Sequence, residues 1–140
     1  QTYSADALAI TGNGSPVGKQ LPFYPEKSAS LGVSWEHAYT DSLSPFARFD
    51  AIYTDRIYES EANAAWIPAN VKFNLRVGLK IDNIRLEAFG TNIFDNRTPT
   101  SVARVAYNEF NAAGMARSVN GITVALADPA TFGLRGSFDF

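Results

Sequence analysis

The chain has 140 residues, a formal net charge of −2 and no cysteine. Its 46% hydrophobic and 13% aromatic residues exclude a disordered chain and fit a single domain. The absence of any basic cluster excludes nucleic acid as a partner. Without cysteine, and with His37 as the one histidine, a thiolate or histidine metal site is not expected. No apolar run reaches the ~18–20 residues of a membrane-spanning helix. Membrane-spanning strands of a β-barrel are not excluded by this, because they are shorter and alternate.

The first part of the chain predicts a loop that is followed by two strands. Residues 1–25 are punctuated by glycine and proline, which break regular structure. In 28–38 and again in 45–58, apolar residues alternate with small or polar ones, which indicates β-strands with two unlike faces. The polar segment 39–42 predicts a short turn between them.

The most regular pattern is a predicted hairpin formed by residues 70–81 and 84–94. Asp82-Asn83 joins the two strands, and both residue types tolerate the positive φ of a two-residue turn. One face of the first strand is entirely apolar: Val71, Phe73, Leu75, Val77, Leu79 and Ile81.

The remainder consists of two longer connections and a final strand. Residues 59–69 link the second strand to the hairpin, and 96–130 link the hairpin to a last strand at 131–140. Since 96–130 is long for a structureless loop, we expect strand extensions at its base, 101–107 and 122–127, with a tip between them. No spacing that predicts catalysis or metal binding occurs in the chain.

Each predicted strand has an apolar face that either fills the core of a soluble barrel or contacts lipid. Three features favour lipid. The strands have about ten residues, the length that crosses a bilayer at a tilt; their apolar faces carry no charge; and short turns alternate with long connections. Aromatic residues near the strand ends on these faces fit interfacial girdles: Trp35, Tyr53, Phe132, Phe138 and Phe140.

Three stretches resemble the C-terminal part of a TonB-dependent outer-membrane receptor. They are LPFYPEKSASLGVSWE at 21–36, FNLRVGLKIDNIRLEAFGTNIFDNR at 73–97, and DPATFGLRGSFDF at 128–140. The resemblance implies an all-β fold in which residues 1–140 form the last ~5 strands of a 22-stranded transmembrane β-barrel, an antiparallel up-and-down meander. The chain starts at Gln1 without an initiator methionine, and we expect it to be a fragment that lacks the plug domain.

The resemblance also implies a function. The chain would belong to an active-transport receptor, in the outer membrane of a Gram-negative bacterium, for a scarce nutrient: an iron-siderophore first, otherwise cobalamin, haem or a saccharide. Its partners would be outer-membrane lipid, the plug domain, the remaining barrel strands, the TonB complex through the missing N-terminal part, and the barrel assembly machinery. No cofactor and no enzymatic activity are expected. The alternative is a non-transporting small barrel or soluble β-rich binding module with the apolar face inward.

Three groups of candidate site residues follow. Loop residues are expected to contact an extracellular ligand: Arg104, Tyr107, Asn108, Glu109, Phe110 and Arg117. A charged wall is expected to face the barrel lumen, with opposite charges paired across strands: Arg48, Asp50, Arg76, Arg85, Glu87 and Arg135. The resemblance implies that Phe138 and Phe140 form a C-terminal assembly signal. Residues 92–95 are expected to hold a strand-to-loop bend through side-chain hydrogen bonds to the backbone.

Overall fold

The computed structural model describes residues 17–110, 114 and 116–140. In these residues the protein is all-β, with antiparallel strands and no helix. The chain divides into two compact units. Unit 1 comprises Gln1–Lys27, Asp55–Ala69 and Thr98–Ala127; unit 2 comprises Ser28–Thr54, Asn70–Arg97 and Asp128–Phe140. The prediction of one domain, which rests on length and composition, stays a prediction.

Unit 2 is a five-stranded antiparallel sheet whose strands neighbour one another in chain order. The other strands of the described residues belong to unit 1, so unit 2 itself is an open meander, and it is not a closed barrel. Its strands are β1 (Ser28–Glu36), β2 (Leu43–Thr54), β5 (Asn70–Ile81), β6 (Ile84–Thr91) and β9 (Thr131–Phe138), with β1 and β9 at the edges.

In its described residues, unit 1 contains two antiparallel ribbons. The first pairs β3 (Ile57–Tyr58) with β4 (Trp66–Ile67), and the second pairs β7 (Ser101–Phe110) with β8 (Ala116–Ala125). Each ribbon lies in one of the two long connections between strands of unit 2.

The observed strand bounds differ from the sequence-based ones in instructive ways. The second strand was expected to run to residue 58, but β2 ends at Thr54. The backbone N–H of Asp55 still donates to the Lys27 carbonyl, the next position of the β1–β2 register, while the Asp55 carboxylate accepts the backbone N–H of Arg56. The expected extensions at 101–107 and 122–127 are the longer strands β7 and β8, and of the expected tip, residues 111–113 and 115 lie outside the described residues.

The predicted hairpin at Asp82-Asn83 is confirmed. Ile81 pairs with Ile84, so the turn has two residues, and Asp82 is the member with positive φ, at 48°. The backbone N–H of Asp82 also donates to Ser42, the neighbouring turn residue. Both short turns therefore lie at one end of the sheet.

The strand register gathers the apolar residues of unit 2 on one face. Directly paired residues form rows across all five strands, and no position on this face is charged. Two such rows are Trp35–Ala47–Val77–Ala88–Leu134 and Val33–Phe49–Leu75–Gly90–Phe132. The face is uncovered, since Leu134 is 86% exposed and Trp35 56%. We call it the apolar face.

The opposite face is charged, and on it two phenylalanines fill the space above cross-strand glycines. A Cβ at Gly78 would clash with the Leu86 carbonyl and lie 2.5 Å from the Phe46 ring. A Cβ at Gly133 would lie 2.6 Å from the Phe89 ring. The rings thus pack on bare backbone, which joins neighbouring strands without leaving a void.

Replacing Gly78 by alanine should destabilise unit 2 far more than replacing Gly136. A methyl group at Gly136 would meet only the Leu86 side chain, at 3.7 Å, which is an ordinary contact. We expect Gly78→Ala to cost about 1–3 kcal/mol as an overpacked site and Gly136→Ala to be near neutral. Denaturant unfolding followed by Trp35 fluorescence, in a Trp66→Phe background, measures both. Equal losses would contradict this packing.

Candidate functional site

The charged face of unit 2 carries all six residues of the predicted wall. Arg48 and Asp50 lie two residues apart on β2 and form a bidentate pair, with Nε to Oδ2 at 3.0 Å and Nη2 to Oδ1 at 2.7 Å. Pairs of exposed charges contribute little to stability, so this contact orients the side chains more than it stabilises the sheet.

Glu87 is the one deeply buried charge of this face. Its side chain is 5% exposed. Arg85 donates from Nη2 to Oε2 at 3.0 Å, and Nη1 of Arg135 lies 3.8 Å from Oε1. Oε1 accepts no hydrogen bond from the described residues. The guanidinium of Arg85 also lies 4.0 Å from the centre of the Phe46 ring, and that of Arg135 lies 5.6 Å from the Phe89 ring.

The charges pair less completely across strands than expected. Opposite charges meet across strands at Glu87–Arg135 and Lys80–Glu36, whereas the other two pairs lie within a strand. Arg48 stands directly opposite Arg76, a like-charge pair that opposes folding unless it is neutralised. In the part of the chain that the structure describes, no carboxylate lies within 4 Å of Arg76.

The bend at residues 92–95 is held by the hydrogen bonds that were predicted. Asn92 is 6% exposed, and its amide nitrogen donates to the carbonyls of Asn96 and Asp128 at 3.0 and 2.9 Å. Its amide oxygen accepts the Asn96 N–H at 2.9 Å, while its own N–H donates to the Asn74 side chain. This network, which we call the Asn92 brace, ties the end of β6 to the segments before β9 and around β5.

Asp95 closes the same bend from the other side. Its Oδ1 accepts a hydrogen bond from the backbone N–H of Ala130 at 2.9 Å. The same oxygen forms an ion pair with Arg97, whose Nε lies 2.7 Å away. The Ala130 hydrogen bond, followed by that of Arg97, holds the pKa of the Asp95 carboxyl below its usual range. The bend therefore contains one group whose hydrogen bonds depend on its ionisation.

The predicted ligand-contact residues all belong to the β7–β8 ribbon of unit 1. Glu109 is exposed near the end of β7. The backbone positions of the others are paired within the ribbon, whereas their side chains lie outside the described residues: Arg104, Tyr107, Asn108, Phe110 and Arg117. The prediction that these residues contact a ligand stays a prediction.

The two C-terminal aromatics pack on each other. The Phe138 and Phe140 rings meet edge to face with centroids 5.2 Å apart. Phe138 lies opposite Ile84 on the apolar face, and both phenylalanines are exposed. Their predicted role in assembly stays a prediction.

Sequence reasoning missed a cationic and aromatic group in unit 1, which we call the Arg56 cluster: Arg56, Tyr58 and Trp66. The guanidinium carbon lies 5.5 Å from the Trp66 ring centre and 6.0 Å from that of Tyr58. Arg56 and Tyr58 are two residues apart, the spacing at which side chains of a strand lie on the same face. The approach of Trp66, however, follows from the β3–β4 pairing, which spacing does not reveal.

The described residues form cavities but contain neither a cluster of metal-ligating side chains nor a long apolar helix. Cavities of about 740 and 440 Å³ open onto the apolar face, and a polar one of about 190 Å³ lies beside Gln20 and Tyr24. No group of three or more metal-ligating side chains is found in these residues. They also contain no helix long and apolar enough to cross a membrane.

No protein family, no curated protein and no solved structure matches this chain.

Acidification should open the bend at Asp95. Because the folded-state pKa lies below the unfolded value of ~3.9, the stabilisation is complete above ~3.9 and is lost as the pH falls through the folded-state value. We expect the Ala130 amide resonance to shift with a midpoint below ~3.9, and Asp95→Asn to abolish that transition. NMR titration measures both. An Ala130 amide that does not respond would contradict the contact.

Removing the Asn92 side chain should loosen the bend locally. Asn92→Ala deletes three hydrogen bonds and places alanine at φ 49°, so we expect a loss of about 1–3 kcal/mol. Asn92→Gly deletes the same bonds without the backbone strain and separates the two causes. Hydrogen exchange at the Asn96 amide reports the effect. An Asn96 amide equally protected in all three proteins would rule out the brace.

Proposed function

We propose that this chain is wall-forming sequence of an outer-membrane, TonB-dependent transport receptor for a scarce nutrient. Unit 2 supplies consecutive strands of its 22-stranded barrel, with the apolar face toward lipid and the charged face toward the lumen. The proposal joins the sequence resemblance to the apolar face, which is uncharged in register over five strands and is exposed.

The exposure of the apolar face is the observation that carries this proposal. Single exposed apolar residues are ordinary on a protein surface, but a contiguous face is covered by something. The residues concerned are large and widely exposed: Leu31 at 62%, Val33 at 56%, Leu86 at 49% and Phe132 at 68%. Arginine or lysine at the middle of a lipid-facing strand costs ~2–4 kcal/mol, which is a reason for such a face to carry no charge.

The charged face suits a hydrated lumen. Its ion pairs retain substantial exposure: the Arg48 side chain is 50% exposed and that of Arg135 is 66% exposed. Arg85 lies over the Phe46 ring and Arg135 over the Phe89 ring, so charged groups cover the apolar rings of this face. Charges of both signs on this face could also contact a plug domain.

The ends of the strands support the same orientation. The turns that follow β1 and β5 are short, whereas the chain leaves β2 and β6 at the other end of the sheet through its two long connections. Outer-membrane barrels have short periplasmic turns and longer extracellular loops. By this proposal Asp82-Asn83 is periplasmic and the ribbons are extracellular. The resemblance further assigns lipid, TonB and the assembly machinery as partners, the last through Phe138 and Phe140.

Lipid contact can be tested with the tryptophan of the apolar face. In a Trp66→Phe variant, Trp35 is the sole tryptophan. After reconstitution in phospholipid vesicles, brominated acyl chains should quench Trp35 strongly, since its side chain points to lipid. A water-soluble quencher such as iodide should have little effect.

The matched control places the tryptophan on the other face. In a Trp35→Phe, Trp66→Phe, Ser34→Trp variant, the indole lies one residue away and on the charged face. Brominated lipid should quench it weakly and iodide strongly. If neither quencher reaches Trp35, the apolar face is packed inside a soluble barrel and the proposal fails.

A further inference from the structure

The Arg56 cluster of unit 1 presents a cation between two aromatic rings. Arg56 donates from Nη1 to the Tyr58 hydroxyl at 3.2 Å, and its guanidinium lies over both rings. The rings of Tyr58 and Trp66 are 6.3 Å apart and inclined at 59°. Arg56 is exposed and Trp66 is 53% exposed, so part of the indole remains open to a ligand.

Hydrogen bonds below the cluster hold it in place. Tyr58 pairs directly with Trp66 across the ribbon. The turn between them is closed by the buried Glu59, whose carboxylate accepts the Ala65 N–H at 2.9 Å and the Ser60 hydroxyl at 2.8 Å. A site held in this way loses little freedom when a ligand binds.

A second segment of unit 1 ties the cluster down from the side. Asn63 and Gln20 exchange two hydrogen bonds, at 2.8 and 2.9 Å. The Gln20 side chain also donates to the Arg56 carbonyl at 3.1 Å, and the Phe23 N–H donates to the Tyr58 carbonyl at 2.8 Å. These hydrogen bonds therefore fix the backbone of Tyr58, in β3, and that of Arg56, directly before β3.

The guanidinium of the cluster has no direct ion-pair partner. Among the described residues no carboxylate lies within 4 Å of it; the Asp55 carboxylate acts on Arg56 only at longer range and accepts a backbone N–H. A guanidinium only donates hydrogen bonds, and it matches a carboxylate in a planar, bidentate manner. The indole beside it accepts a flat ring by stacking.

We propose that the Arg56 cluster binds a planar organic anion, an arene or heteroarene that carries a carboxylate. The carboxylate pairs with Arg56 while the ring stacks on Trp66. A neutral sugar fits less well, because it would bring no charge to the guanidinium. That this ligand is the transported nutrient rests on the proposed function, whereas the binding chemistry stands on the cluster itself.

The test uses Trp66 as its own reporter. In a Trp35→Phe variant of the full chain in phospholipid vesicles, 4-nitrobenzoate should quench Trp66 saturably, since nitroarenes quench indole on contact. The neutral isostere 4-nitrobenzamide should bind at least about tenfold more weakly, because it lacks the charge-assisted pair. Methyl glucoside added in excess should not displace the acid.

Substitutions locate the site. Arg56→Gln should reduce the affinity for 4-nitrobenzoate to that for the amide, whereas Arg97→Gln, a matched exposed arginine of unit 2, should leave it unchanged. Equal affinity of acid and amide in the unsubstituted cluster would overturn the proposal, and this comparison needs no variant at Arg56. Displacement by the glucoside would also overturn it, in favour of a saccharide.

This result is separable from the test of the proposed function. Trp35 reports lipid contact in unit 2, and Trp66 reports ligand binding in unit 1. If the acid binds selectively but lipid does not reach Trp35, the binding site is supported and the proposed transport receptor is contradicted. If lipid reaches Trp35 but binding at Trp66 is not selective, only the binding site is contradicted.

Discussion

The structure depends on one constraint, the strict two-residue alternation that keeps charge off one face of the unit 2 sheet. A slip of a single residue between two strands would carry charged side chains such as Arg76 or Glu87 to the apolar face. The register between the strands is therefore strongly specified wherever the apolar face lies in apolar surroundings. The packing of Phe46 on Gly78 and of Phe89 on Gly133 adds a second lock, because each fits in one register only.

The chain connects the strands differently at the two ends of the unit 2 sheet. At one end, tight turns simply reverse the chain. At the other, the Asn92 brace and Asp95 bind the end of β6 to the start of β9, although more than thirty residues of chain separate them. Side-chain hydrogen bonds of this kind satisfy backbone groups that leave the ladder. They allow a long connection between β6 and β9 without fraying of the strands that carry the two faces.

Local sequence was sufficient for what has a local cause. The alternation of 70–81 and the turn at Asp82-Asn83 predicted the hairpin, and 92–95 predicted the bend. It failed where the cause is a partner distant in the chain. The like-charge pair of Arg48 with Arg76, for example, depends on the register between β2 and β5. The Arg56 cluster was missed for the same reason, because Trp66 reaches Arg56 only through the β3–β4 pairing.

The central claim is that the apolar face of unit 2 contacts lipid. The chain has no native cysteine, so a nitroxide can be placed at each position of 70–81 in turn by a single substitution. In phospholipid vesicles, power saturation should give high oxygen and low nickel-chelate accessibility at Val71, Leu75 and Val77. The reverse is expected at Lys72, Asn74 and Arg76. An alternation in which the apolar positions are inaccessible to both reagents would mean a protein core, and would contradict the account.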